Sequence, residues 1–198
     1  MGTTSTAGYG EQAEALVIQY ESITFEDVHH DVLHLLPAEP ARIADIGAGT
    51  GRDAAALARR GHHVVAIEPT AELREAGRQL HADVPIEWLD DSLPALAKLR
   101  EQSVRFDAIM LTAVWMHLDA EERAQAMAAV DALLADHGLV FLSLRHGPVP
   151  AGRRMFDVSA EETIALAAPF GMRAAHCSQR SGLMDRTDVH WTNLVLQR

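Results

Sequence analysis

A glycine-rich turn between a buried strand and a helix is the segment of this sequence best suited to hold a ligand. The apolar run Arg42–Ile46 leads directly into Gly47-Ala48-Gly49-Thr50-Gly51, and a helical pattern begins there. Glycine lets the backbone turn sharply and approach a ligand closely, and the following helix N-terminus presents free N–H groups. A second strand ends at Glu68, where a carboxylate accepts hydrogen bonds from both ribose hydroxyls. Together these features predict a nucleoside-binding unit.

Two classes of nucleoside cofactor fit such a unit. The dinucleotide fingerprint G-x-G-x-x-G requires Gly or Ala at its sixth position. Arg52 stands there in this sequence, and its bulk obstructs close packing against a pyrophosphate. Ala54, Ala55 and Ala56 in the same helix weaken that objection, so an NAD-dependent oxidoreductase stays open as an alternative.

Four segments of the chain resemble the class I S-adenosyl-L-methionine (SAM)-dependent methyltransferases, most of all the broad type 11 group of small bacterial members. Residues 44–52 resemble motif I, and Ala66-Ile67-Glu68-Pro69 resembles motif II. Residues 88–94 resemble the adenine-contacting loop, while 106–111 and 113–118 resemble motif IV and the segment after it. The resemblance is close over residues 41–144. It implies SAM as the cofactor and S-adenosyl-L-homocysteine (SAH) as its product.

The resemblance also implies a set of cofactor contacts. Glu68 would hold the ribose diol, Asp45 would anchor the turn and reach the amino group of SAM through water, and Arg52 would pair with its carboxylate. Asp91 or Asp90 would accept from the adenine amino group, and we place Asp91 first. The implied cofactor-binding residues are Asp45, Gly47, Ala48, Gly49, Gly51, Arg52, Glu68, Pro69, Asp90, Asp91, Ser92, Leu93, Thr112 and Ala113, the last two near the reacting sulfonium.

A second group of residues is predicted to face the methyl acceptor. His117 follows the strand that points at the methyl group, so it is the candidate catalytic base, with a structural hydrogen bond as the alternative role. Trp115 either walls the acceptor pocket or packs in the core. Arginines around the loop after the fifth strand lie over the carboxyl ends of the strands, where they either grip an acidic acceptor or are solvated. The acceptor-side candidates are Tyr20, Trp115, Arg145, His146, Arg153 and Arg154.

The elements that must position these residues alternate between strand and helix. We predict strands at 42–46, 63–67, 85–88, 106–111, 139–144, 172–178 and 189–197, and helices at 51–60, 71–81, 93–99, 120–135 and 159–168. The last two strands follow each other without a helix, so we expect an antiparallel pair. The prediction is one domain over residues 1–198 with a Rossmann-like, doubly wound α/β fold. Its seven-stranded sheet is mostly parallel with an antiparallel closing strand.

Before the first strand, a helical pattern runs from Glu11 to Leu36. It predicts an N-terminal helical lid over residues 9–36 that lies across the cofactor. Tyr9, Tyr20 and Phe25 are its candidate contacts. Near the other end of the chain, Ser159 with Glu162 three residues later predicts a capping box.

Composition narrows the classes of partner. The formal net charge of -11 disfavours nucleic acid, because phosphate binding draws on Lys and Arg. No apolar run approaches the length of a membrane span. Cys177 is the single cysteine, which excludes an intrachain disulfide and favours the reducing cytoplasm. His29, His30 and His34 suggest a metal site only weakly, and we predict none.

The sequence therefore predicts transfer of a methyl group from SAM to an unidentified small-molecule acceptor by in-line displacement. A sulfonium methyl is already activated, so the reaction needs chiefly alignment and exclusion of water. The alternatives are the NAD-dependent oxidoreductase and a non-catalytic SAM-binding regulatory module without turnover. A nucleic-acid methyltransferase is disfavoured because Thr112-Ala113-Val114-Trp115 stands where base-amino methyltransferases place Asn/Asp-Pro-Pro-Tyr/Phe. The acceptor, its nucleophilic atom and the oligomeric state are left open.

Overall fold

Seven strands form a single sheet in the computed structural model, which describes residues 10–150, 152–182 and 188–198. The strands are β1 (Arg42–Ile46), β2 (His63–Ile67), β3 (Ile86–Leu89), β4 (Phe106–Thr112), β5 (Leu134–His146), β6 (Arg173–Ser181) and β7 (His190–Gln197). Their order across the sheet is β3-β2-β1-β4-β5-β7-β6. The pairs from β3 to β5 are parallel, whereas β7 runs antiparallel to both β5 and β6. The predicted mostly parallel, doubly wound fold with an antiparallel closing strand is confirmed.

Helices cover both faces of this sheet. They are α1 (Ala13–Glu21), α2 (Phe25–His29), α3 (Arg52–Arg59), α4 (Ala71–Leu80), α5 (Ala97–Glu101), α6 (Ala120–Leu133) and α7 (Ala160–Ala167). On one face, Phe25 of α2 and Leu57 of α3 pack with Ile43 of β1. On the other, Val130 of α6 packs with Ile109 of β4. The near-continuous apolar runs of β1, β2 and β4 follow from this double coverage, since parallel strands are buried on both faces.

The N-terminal segment is not one helix, as the sequence pattern had suggested, but two short helices with a break between them. Thr24 begins α2: its hydroxyl accepts a hydrogen bond from the Asp27 N–H, and the Asp27 carboxylate accepts from the Thr24 N–H, both at 3.1 Å. This capping box satisfies two N–H groups at the start of α2, so the chain restarts a helix here. Tyr9 lies outside the described residues.

Four other predicted features differ from the structure. The helix predicted from Leu93 begins only at Ala97, and β5 starts at Leu134, immediately after α6. β6 extends to Ser181, three residues beyond its predicted end. The capping box of α7 is only half formed, because Ser159 accepts from the Glu162 N–H while the Glu162 carboxylate pairs with Arg123 at 2.7 Å.

The carboxyl ends of the parallel strands meet the start of β7 at one edge of the sheet. Strand register places Arg145 of β5 beside Trp191 of β7, and Trp191 beside Arg180 of β6. Ligands bind at this edge in open α/β sheets. Among the described residues, no helix is long and apolar enough to cross a membrane.

Candidate active site

A cavity of about 460 Å³ lies at the carboxyl ends of β1, β2, β4 and β5. Its walls come from the N-terminal helices, the turn after β1, the loop after β3, and the segments that follow β4 and β5. Its volume falls within the range of about 300–1,000 Å³ that is usual for small-molecule sites. Most of the predicted nucleoside-binding residues and several acceptor-side candidates line this same cavity.

The glycine-rich turn forms the floor of the cavity below Tyr20. The N–H groups of Gly47 and Ala48 donate to the Ile67 carbonyl at 2.8 and 3.0 Å, which fixes the turn against β2. Gly47 has φ +73°, and a Cβ there would lie 2.5 Å from a Val114 methyl carbon. Both the backbone angle and the space therefore require glycine at this position.

Glu68 lies at the end of β2 and faces the turn. Its two carboxylate oxygens accept hydrogen bonds from the Gly49 N–H at 2.8 Å and the Thr70 N–H at 2.7 Å. Burial raises the pKa of Glu68, and these two hydrogen bonds only partly offset it. A carboxylate has about four lone-pair sites, so the side chain retains acceptor capacity toward the cavity.

Asp45 is the most deeply buried carboxyl group of the cavity wall. It is only 2% exposed, and its Oδ2 has no hydrogen-bond partner within the described part of the chain. Burial raises the pKa of Asp45 well above its usual value, and the nearby charge of Asp53 adds to the effect. An unsatisfied buried acceptor beside a cavity fits a ligand that brings a hydrogen-bond donor, such as an amino group.

Arg52 and Asp53 connect the turn to the N-terminal segment and to β4. Arg52 donates to Asp53 Oδ1 through Nε at 2.7 Å, while Asp53 Oδ2 accepts from the Thr112 hydroxyl and contacts His29 Nε2, both at 2.8 Å. Burial alone would raise the pKa of Asp53, but the charges of His29 and Arg52 and their hydrogen bonds hold it well below its usual value. The network fixes the end of β4 and the Arg52 side chain at the cavity wall.

Sequence reasoning missed Asp53 and the role of His29, although an acid in the first helical turn after motif I was visible. His29 contacts Asp53 rather than belonging to a metal site. Within the described ranges, no group of three His, Cys, Asp or Glu side chains is arranged to hold a metal ion.

The two adjacent aspartates after β3 have different surroundings. Asp91 lines the cavity, and its carboxylate accepts from the Ser92 N–H and the Leu99 N–H, both at 2.9 Å. Asp90 lies outside the cavity, with a side chain that is 58% exposed and paired with basic residues. The structure therefore brings Asp91 to the cavity with Ser92 and Leu93, and Asp90 does not reach it.

His117 lines the other half of the cavity. Its Nδ1 lies 2.8 Å from the Arg154 carbonyl. A carbonyl only accepts, so Nδ1 carries the proton and the neutral ring has its lone pair on Nε2. Burial lowers the pKa of His117, and the charges of Arg153 and Arg145 lower it further against the effect of the Arg154 carbonyl. The lowered pKa of His117 favours its neutral form.

Three acceptor-side candidates do not reach the cavity. Trp115 is fully buried in the core. His146 Nε2 bonds to the Thr192 hydroxyl at 2.8 Å, and its ring stacks on His190. Arg154 is held by two carboxylates at 2.8 and 2.6 Å and by the His117 carbonyl at 2.9 Å. Their partners hold the His146 and Arg154 side chains away from the cavity, and Trp115 is kept from it by its burial in the core.

Apart from Gly51 and Phe25, the remaining predicted residues in the described structure line the cavity, and Arg180 and Trp191 are among the lining residues that were not predicted. Arg180 and Trp191 enter the wall because β6 and β7 both reach the carboxyl edge. The extra length of β6 was the missing information, since the predicted strand ended at Ser178. The predicted lining residues in the described structure are Tyr20, Asp45, Gly47, Ala48, Gly49, Arg52, Glu68, Pro69, Asp91, Ser92, Leu93, Thr112, Ala113, His117, Arg145 and Arg153. Gly51 lies just behind the turn as the N-cap of α3.

The central part of the chain matches a known protein family. Residues 43–138 match the family described as "Methyltransferase domain". A ubiquinone biosynthesis O-methyltransferase of Xylella fastidiosa is 33% identical over 110 residues, which are 54% of this chain and 43% of that protein. The chain thus spans about two fifths of the length of the first curated relatives that it matches.

Solved structures share the fold at low sequence identity. Magnesium protoporphyrin IX methyltransferase from Synechocystis PCC 6803, with bound SAM, has a TM-score of 0.65 at 14% identity, covering 96% of this chain and 80% of that one. The 1,6-didemethyltoxoflavin-N1-methyltransferase of Burkholderia thailandensis has a TM-score of 0.64 at 19% identity, covering 94% and 86%. The domain match over residues 43–138 and the fold shared with these solved structures make this chain similar to the SAM-dependent methyltransferases.

Proposed function

We propose that this protein transfers the methyl group of SAM to a small-molecule acceptor held in the same cavity. The observation that carries the proposal is the continuity of that cavity. Its wall includes the glycine-rich turn, Glu68 and Asp91 on one side and His117 with Arg145 on the other. Thr112 and Ala113, at the end of β4, lie between the two halves in the chain and in the sheet.

The residues on the turn side fit SAM. Glu68 has acceptor capacity that would serve the ribose hydroxyls, and Asp91 would accept from the adenine amino group. The unsatisfied Oδ2 of Asp45 suits the amino group of the methionine part, directly or through water. Arg52, held by Asp53, supplies a positive charge for the carboxylate of that part.

SAM supplies a methyl group on a positively charged sulfur; the acceptor nucleophile bonds to that carbon as the C–S bond breaks, and the electron pair stays on sulfur in SAH. The chain contributes alignment and exclusion of water. We propose residues 9–36 as the lid that excludes water, since Leu16 and Tyr20 line the cavity above the turn. Where the nucleophile carries a proton, His117 Nε2 would receive it.

The alternatives lack comparable support. Arg52 occupies the sixth position of the dinucleotide fingerprint and is fixed there by Asp53 at 2.7 Å, so small-residue packing against a pyrophosphate is absent at this position. A non-catalytic SAM-binding module would not need the half of the cavity around His117. Both structural neighbours named above are called methyltransferases of small molecules, which supports an acceptor of that size here. A cytoplasmic location stays a prediction from the sequence.

Crystals grown with SAH test the proposal. We expect one SAH molecule with its ribose hydroxyls within hydrogen-bond distance of Glu68 and its sulfur facing Thr112 and Ala113. Parallel crystals grown with NAD⁺ serve as the control and should show an empty cavity. NAD⁺ bound along the turn, with SAH absent from its own crystals, would contradict the proposal.

Catalysis, as distinct from binding, is tested with His117→Gln once an acceptor is known. The amide keeps the size and polarity of the ring but removes the titratable base. Methyl transfer should slow only where the acceptor must lose a proton, and the pH dependence of the rate should flatten. An unaltered rate across the pH range would show that His117 has a structural role and is not a catalytic base.

A further inference from the structure

Three neighbouring strands place an Arg-Trp-Arg row at the edge of the cavity. Arg145 of β5, Trp191 of β7 and Arg180 of β6 are direct partners in the strand register. Directly opposed residues project from the same face of a sheet. All three line the cavity, on the side away from the glycine-rich turn.

The Arg180 guanidinium is half-buried at the cavity wall. Its Nε and Nη1 are buried and have no hydrogen-bond partner within the described part of the chain. The guanidinium lies over the Trp191 ring, 5.3 Å from the centroid, which orients it without satisfying its N–H groups. Leaving buried, charged donors unpaired is costly, so this arrangement fits a ligand that brings acceptors.

Two charged side chains, Asp31 and Arg52, act on the Arg180 guanidinium. Burial and the charge of Arg52 lower the pKa of Arg180, and the charge of Asp31 opposes them. The Asp31 carboxylate is engaged by the Ser178 hydroxyl at 3.1 Å and by His30 at 2.5 Å, and it makes no hydrogen bond to Arg180. Asp31 therefore does not replace an external anion.

Charge is divided between the two halves of the cavity. The carboxylates among the described lining residues all lie at or near the ends of β1 to β3 or in α3: they are Asp45, Asp53, Glu68 and Asp91. Arg145, Arg153 and Arg180 lie instead on β5, on the loop after it and on β6, and the one arginine of the described lining on the carboxylate side is Arg52, which is paired with Asp53. The half that would hold the nucleoside is acidic, and the half that would hold the acceptor is basic.

The basic half also has an apolar wall. Met116, Leu118, Met155 and Val189 line it together with the Trp191 ring. A ligand that fills this half must offer apolar surface to these side chains as well as acceptors to the arginines. The flat guanidinium of Arg180 presents paired N–H groups that match the oxygens of a carboxylate or a phosphate.

We infer that the methyl acceptor is a small molecule with an apolar body and an oxyanion, a carboxylate or a phosphate, and that Arg180 is the residue that selects for the anion. That this ligand is the methyl acceptor rests on the proposed function. The anion site itself rests only on the arginine row and the apolar wall.

Calorimetric titration of the SAH-saturated protein tests this inference. The carboxylate arm compares benzoate with benzamide, which differ chiefly in charge, and the phosphate arm compares phenyl phosphate with phenol, which lacks the phosphate group. Arg180→Gln removes the guanidinium but keeps a polar side chain. Arg173→Gln is the matched control, because Arg173 is an exposed arginine on the same strand and does not line the cavity.

We expect at least one anion to bind about tenfold or more tightly than its neutral partner, and Arg180→Gln to abolish that preference while Arg173→Gln keeps it. The arm that responds identifies the oxyanion. Equal binding of anions and neutral partners, no binding of either anion, or an unchanged preference in Arg180→Gln would overturn the inference. If SAH fails to bind but the anion preference persists in the ligand-free protein, the proposed function fails and the anion site stands.

Discussion

Replacing Glu68 with Gln separates the binding role of this side chain from its role in the fold. The carboxylate holds the Gly49 and Thr70 N–H groups at 2.8 and 2.7 Å. An amide keeps one acceptor oxygen, but its NH₂ group faces the other backbone donor. The variant therefore loses one hydrogen bond within the turn and the charge that would strengthen bonds to the ribose.

Opposing effects keep the stability change small. One unsatisfied N–H costs about 1–3 kcal/mol of the free energy of unfolding. Burial, which raises the pKa of Glu68, makes its charged form costly in the folded state, so removing that charge offsets part of the loss. We expect the urea midpoint of Glu68→Gln to stay near that of the parent protein.

SAH binding should change much more. A hydrogen bond to a charged group contributes about 1.5–3 kcal/mol, so losing one should raise the dissociation constant about 10- to 150-fold. Calorimetric titration measures this, with Glu87→Gln on the exposed side of β3 as the matched control. In the parent protein, affinity should also fall as the pH drops through the raised pKa of Glu68, and the variant should lose that dependence. Glu68→Gln binding SAH as tightly as the parent would refute the role of Glu68.

Three further substitutions test other parts of the account. Arg154→Ala should lower the free energy of unfolding in urea by about 1–2 kcal/mol and leave SAH affinity unchanged, because this arginine ties together two carboxylates and a main-chain carbonyl outside the cavity. Gly47→Ala should lower the melting temperature and SAH affinity more than Gly61→Ala. Both glycines have positive φ, but only at Gly47 would an added Cβ meet a neighbouring atom, a Val114 methyl carbon at 2.5 Å. Asp45 has a raised pKa when folded, so its contribution to stability is present below the usual carboxyl pKa and lost as pH rises through the raised value. The stability of Asp45→Asn relative to the parent should therefore increase with pH in urea titrations, while its SAH affinity falls.

The local parts of the fold could be predicted because their signals are contiguous in the sequence. β1 and β2 have the predicted bounds, since each is a short apolar run between clear turn signals. The break before α2 was also visible as Thr24 followed by Asp27, but the continuous helical periodicity around it hid the cap. Periodicity describes a face and does not show where the chain stops and restarts a helix.

The acceptor half could be predicted only in part because it depends on contacts between distant segments. From its place in the sequence, Arg154 was predicted to bind a ligand. In the structure, the loop brings it beside Asp119 and Glu122 instead. Arg180 was missed because its place in the cavity depends on the register of β6 against β7. Side-chain pairing across strands decides which arginines face a ligand, and it leaves little trace in a single sequence.

Calorimetric titration of the parent protein with SAM, SAH and NAD⁺ tests the central claim most directly. We expect SAM and SAH each to bind at one site and to raise the melting temperature, since a ligand selective for the folded state stabilises it by mass action. We expect no binding of NAD⁺ under the same conditions. Binding of NAD⁺ without binding of SAM or SAH would contradict the account.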